Sequence, residues 1–145
     1  MIDAHTPRGA HALRRLRGDT VIWLTTVNAD FQPQSTPVWF IWEEEGGTIL
    51  IYSIPTAPKV SNIRSNPKVS LHFNDVHGSD VVVIEGIAEP VHDAPSISES
   101  RDYVEKYRGL IAELGSDPES FAGLYAQAIS IRPTRVRALW PVEAE

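Results

Sequence analysis

Ser53, Lys59, Asn62 and Arg64 fall within one short stretch, SIPTAPKVSNIR, and are the residues whose types and spacing best suit chemistry. The chain carries a formal net charge of -6, yet no Asp or Glu occurs from Gly46 through Asn74. A strand ending at Ser53, a loop, and a short helix opening near Pro58 would aim backbone N–H groups and a positive helix end at one point. Lys59 in the first turn adds a charge, and Arg64 a planar fork suited to phosphate oxygens. Ser53, Ser61 and Asn62 offer further hydrogen-bond groups. One reading of this pattern is an anion site with phosphate as its occupant. The alternative is a solvated helix face with no ligand.

The elements that must position these residues are mostly strands. Arg8 to Arg17 reads as a short helix closed by Gly18-Asp19, with Ala10, Leu13 and Leu16 on one face. Thr20–Val27 is β-branched and aromatic, the turn chemistry of NADFQPQ follows, and Ser35–Glu45 reads as the returning strand, where Pro37 suggests an edge, a bulge or the strand's start. Gly46-Gly47 is a hairpin turn, and Thr48–Ile54 the next strand. Thr56 is the expected cap of the short helix, with Pro67 as its stop. Lys68–Asn74 and the long Asp80–Asp93, with Gly86 as a bulge, read as strands. Helices are expected over Ser98–Leu114 and Asp117–Ala126, then a final strand over Ala128–Trp140. Six or seven antiparallel strands with few helices predict a mainly β protein built as a small barrel. Residues 1–145 read as one domain.

Composition excludes several function classes. With no cysteine there is no disulfide framework, thiolate nucleophile or Cys-ligated metal. An acidic balance disfavours nucleic acid, which demands a broad basic face. No apolar run approaches the ~20 residues of a membrane helix, and the N-terminus lacks a secretory apolar core, so a cytoplasmic location is expected. There is no Walker loop, G-x-G-x-x-G, G-x-S-x-G or H-E-x-x-H. His72 and His77 read as scattered histidines rather than a metal pair, and Glu43–Glu45 as a solvated hairpin end.

Strand, then Ser-x5-Lys, then Asn-x-Arg-x-Asn-Pro and a further strand resembles the phosphate-binding segment of the FMN-binding split-barrel proteins, the pyridoxamine 5'-phosphate oxidase-like superfamily. NADFQPQSTPVWFIW is similar to the hairpin which that family places beside its cofactor ring. The likeness runs from Leu13 to about Trp140 and is greatest to short actinobacterial members that use the deazaflavin coenzyme F-420. Asp30-Phe31 stands where the family commonly has Asp-Gly. RPTRVRALW stands where the oxidase proper has Arg-x-His, which speaks against pyridoxamine 5'-phosphate as substrate.

The resemblance implies a split β-barrel in which Ser53, Lys59 and Arg64, with Asn62 as a lesser candidate, hold the cofactor phosphate. It places Gln34, Ser35, Thr36, Pro37 and Val38 along the ring system. It implies a homodimer with cofactor sites at the interface, the partner contributing from Lys68–Asn74 or Arg135–Trp140, and Trp39, Trp42 and Trp140 as candidate walls. The function implied is hydride transfer between coenzyme F-420 and a small unsaturated organic substrate. FMN is the alternative cofactor, and a non-catalytic flavin, deazaflavin or haem-pigment binder the alternative class. Tyr52, His72 and Tyr125 are available as proton donors, and the sequence selects none of them. No metal is expected.

Overall fold

The fold is seen in a computed structural model that describes residues 2–139. Its elements are α1 (Pro7–Gly18), β1 (Ile22–Val27), β2 (Pro33–Val38), β3 (Ile41–Glu43), β4 (Thr48–Ser53), α2 (Pro58–Ser65), β5 (Lys68–Phe73), β6 (Val81–Val91), α3 (Arg101–Glu113), α4 (Pro118–Leu124) and β7 (Gln127–Leu139). One turn of 3-10 helix, Ile97–Glu99, precedes α3. Trp140, the expected end of the last strand, lies outside the described residues.

All seven strands pair antiparallel in one sheet, in the order β2-β1-β5-β6-β7-β4-β3. The two edge strands, β2 and β3, are joined only by Trp39 and Phe40. Laid flat, six strand spacings of about 4.8 Å would separate those edges by about 29 Å. Three Cα–Cα steps span at most about 11 Å. The sheet therefore curls on itself into a split barrel.

This geometry corrects one expectation. Ser35–Glu45 is not a single returning strand: β2 pairs with β1, and after the break at Trp39–Phe40 β3 pairs with β4. Side chains from α3 serve the backbone at the break. The Tyr107 hydroxyl accepts from Phe40 N–H at 2.9 Å and lies 3.0 Å from Phe40 O and 2.8 Å from Thr20 O. Lys106 Nζ donates to Phe40 O at 3.0 Å. A peptide that leaves one strand partner before meeting the next keeps its hydrogen bonds this way.

Apolar side chains fill both sides of part of the sheet. Inside the barrel, Ile22, Leu24, Ile49, Ile51, Leu71 and Ile84 pack with Leu13 and Leu16 of α1 and Val60 and Ile63 of α2. A second cluster, with Tyr52, Tyr103, Tyr107 and Ile111, lies where α3 covers β4. Covered on both faces, β4 reads as an unbroken apolar run, whereas β1 alternates.

Other expectations meet the structure in detail. The β-bulge falls between Glu85 and Gly86, where a Cβ on Gly86 would stand 2.9 Å from Arg132 O. Asp117 caps α4 through Ser120 N–H. The helix expected over Ser98–Leu114 is instead broken at Ser100, which caps α3 through Tyr103 N–H. The cap of α2 is Ala57, not Thr56. Gly47 takes φ 64°, as its hairpin turn requires.

Phe31 also has positive φ, 63°, at the tip of the β1–β2 hairpin, and is 83% exposed. Asn28 Oδ1 holds this turn by accepting from Asp30 and Gln32 N–H. A left-handed Phe carries a steric cost that glycine avoids, partly offset by glycine's greater unfolded-state entropy. Phe31→Gly is expected to stabilise the protein by about 0.5–1 kcal/mol in urea unfolding, with no change in slope. A loss of stability would overturn that account.

Candidate functional site

The open edge of β2 and the first turn of α2 face one another across a cleft of about 230 Å³ lined by Gln34, Ser35, Thr36, Lys59, Asn62 and Thr26, with Pro58 at its rim. Acidic residues are absent from this lining.

Register explains how β2 presents its groups. Gln34 and Thr36 lie opposite Thr26 and Leu24, while Ser35 lies opposite Thr25 and bonds its hydroxyl at 2.7 Å. Pro33 and Pro37 have no N–H to give to β1, so an edge strand accommodates them where the peptide N–H faces away from its partner. Ser35 shares their parity, and its N–H is the donor left for the open edge.

Asn62 ties helix to strands. Its Nδ2 donates to Thr26 Oγ1 at 3.0 Å and to Gln34 Oε1 at 2.9 Å. Both amide hydrogens are thereby spent, and the remaining carbonyl oxygen has no hydrogen to offer a phosphate. The same bonds orient Gln34 so that its own NH₂ is free to turn to the cleft.

Lys59 is the charge in the cleft. It is half-buried, and burial lowers its pKa from the ordinary lysine value, with no carboxylate counteracting that effect. Its Nζ contacts Ser53 Oγ at 3.5 Å, and the Ser53 hydroxyl donates to Ile54 O at 3.0 Å. Ser53 is 1% exposed and supports Lys59 from beneath. The α2 cap, Ala57, makes no side-chain hydrogen bond, so the first turn of the helix has no capping oxygen of its own.

The remaining candidates lie elsewhere. Arg64, five residues beyond Lys59 and so about 140° around the helix, is exposed in the last turn of α2 and does not line the cleft. Pro37 and Val38 continue β2 past the lining residues, opposite Trp23 and Ile22. Trp39 stacks between Tyr107 and Phe121, with ring centroids 4.6 and 5.4 Å away, and Trp42 packs against the main core. Trp140, the third wall candidate, falls among the residues left undescribed. Of the named proton donors, Tyr52 is buried with its hydroxyl bonded to Pro95 O at 2.6 Å, and burial lifts its pKa to about 12. His72 stacks on Trp23, and Tyr125 on Phe121. Thr26 was not foreseen as a cleft residue; only its register opposite Gln34 brings it there.

Chain comparisons agree with this architecture. The profile of the family described as pyridoxamine 5'-phosphate oxidase matches residues 10–140. The chain belongs to that family. A putative pyridoxamine 5'-phosphate oxidase from Listeria innocua is 26% identical, with 90% of this chain and 96% of that one covered and a TM-score of 0.62. An F-420 reductase is 22% identical, covering 86% and 94%, with a TM-score of 0.62. A haem storage protein from Vibrio cholerae is 18% identical, covering 88% and 92%, with a TM-score of 0.59. No curated protein sequence matches the chain. Members of this pyridoxamine 5'-phosphate oxidase family thus share a barrel whose neighbours are described by quite different ligands. Among the described residues no helix is long and apolar enough to cross a membrane.

Proposed function

We propose that this chain is an oxidoreductase that holds the phosphate of coenzyme F-420 in the β2–α2 cleft and reduces a small unsaturated organic substrate. One observation carries the reading: a half-buried Lys59 without a carboxylate partner and an uncapped helix start meet in the same acid-free cleft. Both are donors awaiting an anion, and a phosphate supplies what each lacks.

The residues present fit such a group. Lys59 Nζ and the Lys59 and Ser61 N–H groups of α2 would bind the phosphate, with Ser53 holding Lys59 in place. Pro58 has no N–H, and Val60 N–H already donates to Ala57 O. Gln34 NH₂, the Ser35 N–H and the Thr36 hydroxyl would meet polar atoms of the ring system. Arg64, exposed nearby, suits an anionic extension beyond the phosphate better than the phosphate itself. When bound, the deazaflavin supplies hydride chemistry at its ring. The chain supplies position and charge, and no acid, imidazole or phenol lines the cleft, so the proton is assigned to water. We also place a second copy of the chain on the outer face of the sheet, over the hollow bounded by Val27, Pro33, Lys68, Ser70 and Ile87.

That same lack of an acid in the lining favours a second reading, a protein that binds a flavin, deazaflavin or haem-type pigment without turnover. Parallel fluorescence or absorbance titrations with coenzyme F-420, FMN and haemin separate the two. Micromolar or tighter F-420 binding with FMN at least about tenfold weaker is the expected result, a difference of about 1.4 kcal/mol. A preference for FMN would move the chain to flavin chemistry. Binding of haemin alone would overturn the oxidoreductase reading.

A further inference from the structure

Three residues beyond Tyr103 on α3, Lys106 lies in a separate hollow of about 290 Å³ bounded by Leu16, Arg17, Ile41, Trp42, Glu44 and Asp102. Its Nζ sits 3.9 Å from the centroid of the Phe40 ring and 5.2 Å from that of Tyr107, and donates to Phe40 O. No carboxylate of the described residues forms an ion pair with it. Glu44, the nearest acid on the hairpin side, is already paired with Arg17.

We propose that Lys106 is a covalent capture site for small uncharged aldehydes, which it takes up as an imine. The lone pair of Nζ attacks the carbonyl carbon and a C–N bond forms. The carbinolamine then loses the carbonyl oxygen as water, which carries away both hydrogens of the neutral amine, so no oxidant or reductant is consumed. Size and charge select the class. The hollow has room for about ten non-hydrogen atoms, and Glu44, Asp102 and Glu105 on its margin disfavour anionic electrophiles such as acyl phosphates. A proton taken from water then gives the protonated imine, whose positive charge and one N–H keep the Phe40 ring face and carbonyl as partners. An amide would keep an N–H for the carbonyl but lose the charge over the ring.

Burial lowers the Lys106 pKa to about 8 against a weaker opposing pull from Asp19. The other charged or titratable groups around it are Arg17 of α1, Glu44 of the hairpin, and Asp102, Glu105 and Tyr107 of α3. A sizeable neutral fraction therefore exists near neutral pH.

The sequence contains three lysines, Lys59, Lys68 and Lys106, which makes the test direct. The full chain is treated with limiting propanal and cyanoborohydride, and propylation at each lysine is read by peptide mass spectrometry from pH 6.5 to 10. At pH 7.5 Lys106 is expected to be labelled about tenfold faster than exposed Lys68, with a rate that levels above about pH 8. Inorganic phosphate should protect Lys59 and leave Lys106 unaffected. Propionyl phosphate should show no such preference for Lys106. Labelling of Lys106 no faster than Lys68, or a Lys106 rate that climbs in parallel with Lys68 to pH 10, would overturn the proposal. Lys106→Arg, which keeps the charge over Phe40, supplies the unlabelled control.

Discussion

Replacing Lys59 with methionine is expected to weaken binding of phosphate-bearing cofactors by about 10- to 100-fold, since a charged hydrogen bond contributes about 1.5–3 kcal/mol. The same substitution is expected to leave the melting temperature unchanged or raise it. The folded chain half-buries this ammonium without a carboxylate beside it, and its pKa is lowered for that reason. The sign follows from linkage. Below the lowered folded-state pKa both folded and unfolded chains are charged, and the folded one bears the full cost of burial. As pH rises from that value toward the ordinary lysine value the cost is relieved. Methionine removes it at neutral pH while keeping the aliphatic stem. Cofactor affinity should run the other way, constant at low pH and falling as pH rises through the lowered pKa of the free protein. That decline should begin below the usual lysine range and vanish in Lys59→Met. Fluorescence titrations of both proteins across pH, with thermal melts alongside, measure all of this. Affinity within twofold of the parent chain would remove Lys59 from the site.

Tyr107→Phe is expected to give the largest loss of stability for the removal of one atom, about 1–3 kcal/mol, or roughly 3–10 °C in melting temperature. Tyr107 is fully buried, and its hydroxyl accepts from Phe40 N–H while lying within bonding distance of Phe40 O and Thr20 O. Phenylalanine keeps the ring stack on Trp39. The Phe40 carbonyl still has Lys106 Nζ, but the Phe40 amide and Thr20 O each lose the Tyr107 hydroxyl as a partner. Because Phe40 lies two residues beyond the strand that walls the cleft, cofactor affinity should fall together with stability. A melting temperature within about 1 °C of the parent would mean that water replaces the hydroxyl at no cost.

Residues close in sequence carried much of this into view before any coordinates. Alternation marks β1, β5 and β6, Gly86 marks the bulge, and Ser53, Lys59 and Asn62 come together because a four-residue loop links the end of β4 to a helix on which Lys59 and Asn62 are three residues apart. Local chemistry also sets the hairpin at Asn28 and the cap at Asp117. What local chemistry did not reveal is equally specific. VWFIW (38–42) is β-branched and aromatic throughout, and nothing in it marks Trp39–Phe40 as a break. The break exists because the sheet closes on itself and because a tyrosine 67 residues away completes the hydrogen bonds of Phe40. Arg64 looked equivalent to Lys59 by type, but helical phase and the buried faces of Val60, Asn62 and Ile63 turn it away. Thr26 entered the cleft through strand register alone. Sequence by itself thus determined the strand content and which segment is the candidate for anion binding, both of which depend on neighbours in the chain. Only the tertiary structure decided where the sheet splits and which side chains face the cleft, because those follow from hydrogen bonds and packing between segments far apart in sequence.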